Sequence, residues 1–113
     1  MSNTILMLIE SDILPGKEAE LRKLVGELKQ HVAATEPGTL RYDWFINSDT
    51  QSLRLVEEYD SLSSAAFHGA NYKEFRIKLD ELRVVTRRTI CGDLSADAKA
   101  MLEPLKPEYF DSL

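Results

Sequence analysis

The chain has 113 residues, 43% apolar and 29% charged, with 14 Lys and Arg against 19 Asp and Glu for a net charge of −5. That is the length of one small domain and the balance of a folded chain rather than a disordered tail, and an acidic chain without a basic run offers nucleic acid or an anionic membrane surface no footprint. The single cysteine, Cys91, makes no internal disulfide and supplies no zinc-ligand set, which favours a cytoplasmic protein.

Met1 to Glu10 has no basic n-region and too few apolar residues for a signal peptide or a membrane span. Within it Ile5-Leu6-Met7-Leu8-Ile9 is apolar without alternation, which predicts a strand buried on both faces. Pro15-Gly16-Lys17 reads as a turn that opens a helix, and Leu21, Leu24, Val25, Leu28 and Val32 then recur at helical spacing. His31, at the edge of that stripe, reads as structural. Glu36-Pro37-Gly38 ends the helix, because a residue before proline resists the α region and Gly38 can turn the chain.

Thr39 to Asn47 alternates, with Leu40, Tyr42, Trp44 and Ile46 on one side and Arg41, Asp43, Phe45 and Asn47 on the other. A turn at Asn47 to Thr50 joins it to a second strand, Leu53 to Tyr59, as a hairpin. Asp60 or Ser61 caps a helical region reaching about Leu82, with a break or bend at Gly69-Ala70-Asn71. Arg83 to Cys91, rich in β-branched residues, is the last predicted strand. The tail from Asp93 holds a short helix at Ala96 to Leu102, then Pro104, Pro107 and Tyr109-Phe110.

The order β-α-β-β-α-β is the ferredoxin-like α+β arrangement, with both helices on one face of a four-stranded antiparallel sheet. Residues 1–92 make this domain, and 93–113 a tail that packs on it, over the pocket mouth, or on a partner subunit. Two helices hide one sheet face, yet the first strand is apolar on both, and Phe45, Val56 and Val85 fall opposite their strands' other apolar residues. A second copy stacked sheet on sheet would cover that face, so a homodimer is expected.

Pro15-Gly16-Lys17, Glu36-Pro37-Gly38-Thr39-Leu40-Arg41-Tyr42, and Glu57-Glu58-Tyr59-Asp60-Ser61 with His68 seven residues beyond Ser61 resemble the antibiotic biosynthesis monooxygenase (ABM) domain over about Ile5 to Gly92. The resemblance implies a dimeric α+β barrel. For several members it implies oxygenation of quinols or anthrones by dioxygen without metal or flavin; other members degrade haem or isomerise small phosphorylated sugars. It places His68 at the family's recurring histidine, Tyr59 where the family usually has a pocket-lining tryptophan, and Glu57 at a common glutamate. Haem-degrading relatives carry an asparagine inside the first strand, whereas Asn3 lies outside it here. Leu55 stands where anthrone-oxidising relatives have asparagine, and Lys73 near where some relatives have a second histidine.

His68 can take a proton from a phenol or enol, or orient a carbonyl; the plainer reading is a helix-end histidine capping freed carbonyls. Tyr59 can hydrogen-bond a substrate oxygen or simply close the core. Glu57 reads as a substrate contact or as an ion pair with Arg87 or Arg88. Trp44, with Tyr42 and Ile46, is pocket wall or core, and Tyr72 and Phe75 are placed at the pocket mouth. Cys91 reads as a small core residue, and Arg83, Arg87 and Arg88 as sheet or dimer salt-bridge partners. The sequence has no G-x-G-x-x-G, Walker loop or metal-spaced cluster, so neither a nucleotide cofactor nor a metal is expected. The leading expectation is a cofactor-independent monooxygenase for a small electron-rich aromatic or quinol-like substrate, with His68 and Tyr59 catalytic and Trp44, Tyr72, Phe75 and Glu57 binding. The alternatives are a small-molecule isomerase using the same pocket, or a non-catalytic ligand-binding or stress-associated dimer.

Overall fold

The computed structural model describes residues 4–113, so Asn3 lies outside the described residues. Its elements are β1 (Ile5–Ile13), α1 (Glu18–Thr35), β2 (Thr39–Asn47), β3 (Ser52–Tyr59), α2 (Leu62–Asn71), α3 (Lys73–Leu79), β4 (Arg83–Cys91), α4 (Ala96–Leu102) and β5 (Glu108–Phe110), with a 3₁₀ turn at Glu103–Leu105. The strands form one sheet in the order β2-β3-β1-β4-β5. The strand without polar alternation thus sits in the middle, flanked on both sides, where both faces need apolar side chains. The ferredoxin-like core is as the sequence predicts. The addition is β5, a three-residue strand pairing parallel to β4 through Thr89, Ile90 and Cys91, too short to show a period in the sequence.

The helices cover one face. α1 buries Leu21, Leu24, Val25, Leu28 and Val32 against Ile13, Leu53, Leu79 and Leu82. A second cluster, Ile5, Met7, Tyr59 and Ile90, is covered by Leu62, Ala65, Leu94, Leu102 and Tyr109. Ser61 caps α2 by accepting from the Ser64 N–H. The helical break falls at Tyr72, just past Gly69-Ala70-Asn71, and Tyr72 both ends α2 and begins α3. The tail lies on its own domain. The Tyr109 hydroxyl donates to the Lys99 carbonyl at 3.0 Å, while Phe110 is exposed.

On the opposite sheet face Leu6, Leu8 and Val56 are half-buried, and Phe45 and Val84 are exposed. Cys91, paired opposite Leu6, belongs to this face and is only half-buried, not in the core. Val85 does not belong to it. A bulge leaves Thr86 without an opposing residue on β1, so Val85 pairs with the buried, inward Ser11; one extra residue reverses the sidedness read from simple alternation. Charges run across the same outer face, with Glu10 3.3 Å from Arg54 and Arg87 3.0 Å from Glu108.

Candidate active site

Where the two apolar clusters meet, a cavity of about 250 Å³ opens between the inner sheet face and α2, and Met101, Leu102 and Leu105 of the tail close one side. His68 forms part of its wall and is 5% exposed. Its Nδ1 lies 2.9 Å from both Glu36 carboxylate oxygens, and its Nε2 lies 3.3 Å from Glu57 Oε1. The imidazole stacks on Tyr72, with centroids 4.5 Å apart and planes at 11°. Tyr42 flanks it at 5.1 Å.

Chain geometry explains how Glu36 reaches a histidine 32 residues away. The Pro37-Gly38 corner brings the end of α1 against the start of α2. A Cβ on Gly38 would collide with the Ser64 side chain, so only glycine permits this approach. The Glu36 carboxylate also accepts from Thr39 Oγ1 at 2.7 Å and Asn71 Nδ2 at 2.8 Å. An acceptor surrounded by donors assigns one His68 proton to Nδ1, and the Nε2–Glu57 Oε1 contact is met by a proton the two groups share, held on Nε2 or on the Glu57 carboxyl. Asn71 is steadied in turn by His31 Nε2, 3.2 Å from its carbonyl and side-chain oxygens.

Glu57 Oε1 accepts from the Tyr59 hydroxyl at 2.6 Å. Burial pushes the Glu57 carboxyl above the usual carboxylate range, although His68, Tyr59 and Arg83 oppose that shift. Burial and then the Glu57 charge push the Tyr59 hydroxyl upward, so Tyr59 keeps its proton and acts as a donor. Burial, with Glu57 again second, raises Tyr42 in the same way. Burial lowers Arg83. The site can therefore move a proton along a single line, from the cavity to the His68–Glu57 pair, with Glu36 holding the far side of the ring.

Of the residues expected at the site, His68, Tyr59, Trp44, Tyr72 and Glu57 all line the cavity. His68 is no helix-end cap, since both ring nitrogens face carboxylates. Glu57 does not pair with Arg87 or Arg88. Alternation turns it inward, while Arg87 faces outward to Glu10 and Glu108 and Arg88 donates to the Leu105 carbonyl. Phe75 is not on the cavity wall. It packs on the α1 core with its ring 5.3 Å from His31, because the chain direction changes at Tyr72 and puts residue 75 beside α1. Sequence reading missed Glu36, which looks like a helix terminator, and Arg83, which looks like a strand-end salt-bridge residue. The one available signal for Glu36 was its place before Pro37-Gly38, a corner able to press it against α2. The two His68 nitrogens face different carboxylates, and among the described residues no group of His, Cys, Asp and Glu is arranged to hold a metal ion. No helix among them is long and apolar enough to cross a membrane.

The antibiotic biosynthesis monooxygenase family model matches residues 4–78. In structure the chain is similar to MupZ from Pseudomonas fluorescens, with TM-score 0.90 and 18% identity over 99% of this chain and 92% of that one. It is also similar to Rv0793 from Mycobacterium tuberculosis, with TM-score 0.68 and 24% identity over 81% and 96%. A Caulobacter crescentus CB15 protein assigned as an antibiotic biosynthesis monooxygenase matches with TM-score 0.69 and 23% identity over 79% and 86%. At these identities the likenesses establish the fold. No curated protein matches the sequence.

Proposed function

The chain belongs to the antibiotic biosynthesis monooxygenase family, and from that premise we propose that it is a cofactor-independent monooxygenase for a small electron-rich aromatic or quinol-like substrate. The observation that carries the reading is His68, buried on an aromatic cavity wall between Glu36 and Glu57. Glu36 fixes the ring, and Nε2, backed by Glu57, takes a proton from an activated C–H or phenol. The resulting carbanion or enolate passes an electron to dioxygen, and recombination forms a C–O bond as a hydroperoxide, which receives the proton. Loss of water then leaves a carbonyl, with one oxygen atom in product and one in water. Aromatic walls keep bulk water from quenching the anion. Tyr59 is a positioning residue here, since its hydroxyl is committed to Glu57.

The test is oxygen uptake by the pure protein against a panel of reduced naphthoquinols, anthrones and catechols. At least one compound is expected to be consumed with one dioxygen per product. Turnover without oxygen loss would assign an isomerase instead, and binding without turnover a ligand-binding protein.

The working unit in this proposal is a homodimer through the outer sheet face. Its support is the apolar group Leu6, Leu8, Val56, Phe45 and Val84 beside the Glu10, Arg54, Arg87 and Glu108 charges. Alternating signs let such a face meet its own copy in an isologous contact. Sedimentation should give twice the 12.8 kDa chain mass, and Leu8→Lys should yield monomer. A monomeric wild-type chain at micromolar concentration overturns this.

A further inference from the structure

Three buried polar groups on residues of the cavity wall meet no partner of good hydrogen-bond geometry among the described residues: the Tyr42 hydroxyl and Trp44 Nε1, which lie close to one another, and Arg83 Nε. Native proteins rarely leave such groups unmet, and three on one wall mark a place where something else supplies the acceptors. Arg83 is the most telling. It is 7% exposed, its Nη1 has only the Ser11 hydroxyl at 3.3 Å, and its guanidinium sits 5.2 Å over the Trp44 ring. Among the described residues no carboxylate pairs with it, unlike Arg87 on the outer face. A buried guanidinium with no anion in contact, and with Glu57 and Asp80 acting on it only from a distance, is expensive to keep. Arg76 and Arg88 also line the cavity, so three arginines face the single lining carboxylate of Glu57, in a chain whose net charge is −5.

We propose that the cavity binds an organic acid, with Arg83, Tyr42 and Trp44 holding its carboxylate and its unsaturated body lying toward His68. A planar, singly charged carboxylate matches one guanidinium edge and two neutral donors. A phosphate dianion would bring more charge and more oxygens than these three groups meet. Glu57 offers the acid group no cation, so the acid settles at the Arg83 end, which sets the orientation of the body against the proton acceptor. Arg83 lies on β4, beyond residues 4–78, the stretch the family model matches, whereas Tyr42 and Trp44 lie on β2 within it. The inference deepens the proposed function by naming its substrate class, and rests on that reading only in taking this cavity as the substrate site.

The experiment titrates the full chain with 2-naphthoate and with its uncharged counterpart 2-naphthamide, followed by calorimetry. The acid is expected to bind at least about tenfold more tightly than the amide, the scale of a charge-assisted pair. Arg83→Gln should level the two ligands. Tyr42→Phe, which keeps the ring, should reduce the preference. His68→Gln should leave the preference intact, so that a failed oxygenase reading and a failed acid subsite are read separately. If Arg83→Gln does not fold, Arg83→Lys, which retains charge but lacks the Nε donor, serves in its place and should weaken the preference. Equal affinity for acid and amide, no binding of either, or a preference that survives the Arg83 variant overturns the proposal.

Discussion

His68→Gln is expected to lower turnover by about 10²- to 10⁴-fold, the range for loss of a positioned acid–base group, with substrate affinity little changed. Glutamine keeps a polar group beside Glu36 and Glu57 but cannot relay a proton between the cavity and Glu57. Oxygen consumption with any accepted quinol measures the loss, and direct titration of the same compound measures the affinity. The split matters because His68 touches much of the site: it stacks on Tyr72 and lies near Tyr42 and Tyr59. A merely structural histidine would change affinity and fold together with turnover. Full oxygen uptake by a folded His68→Gln protein rejects proton transfer through this ring. Glu36→Gln should change the rate in the same direction by a smaller factor, since it acts through the ring's orientation and tautomer.

Much of the fold was legible because it rests on local periods. The helical stripe from Leu21 to Val32 and the alternation of β2 from Tyr42 onward are each written within one element, whereas Leu40, expected beside Tyr42, is exposed at a bulge between Thr39 and Arg41. The site was legible only where one residue carried the signal. His68, Tyr59, Trp44 and Tyr72 stand out by side-chain type, and they reach one cavity because α2 packs against β2 and β3. Glu36 was hidden because its partner lies 32 residues away, and the contact depends on how tightly Gly38 lets the chain approach Ser64. Phe75 failed for the related reason that the break at Tyr72 changes the helical face. Val85 failed because a bulge has no sequence period. Arg83 looked like its neighbours Arg87 and Arg88. Only the register, which sets Arg83 opposite inward-facing Ile13 and Arg88 opposite Ile9, separates the buried Arg83 and the half-buried, cavity-lining Arg88 from the exposed Arg87.

Glu57→Gln is expected to move stability and activity in opposite directions. Burial raises the Glu57 carboxyl from the ordinary value of 4.5 in the folded protein. The native state therefore holds this proton at pH values where the unfolded chain has released it. With more protons bound in the native than the unfolded state, stability falls as pH rises. The stabilisation is complete below about 4.5 and is lost progressively as pH passes through the raised folded value, at no more than about 1.4 kcal/mol per pH unit. Glutamine has nothing to titrate. Its carbonyl oxygen can still accept from the Tyr59 hydroxyl, and its amide can donate to His68 Nε2, so the contacts are kept while the buried charge is removed. Urea unfolding from pH 4 to 9 should show the variant equal to the parent at the acid end and increasingly more stable toward the alkaline end. Turnover should meanwhile fall by about 10²-fold or more, because the amide cannot take up the proton that the carboxylate accepts from the substrate through His68 Nε2. Site groups held against their preference for stability are expected where chemistry requires it. A difference in stability that does not grow with pH would show that Glu57 is not the strained carboxyl. A more stable variant with undiminished turnover would remove Glu57 from the proton path.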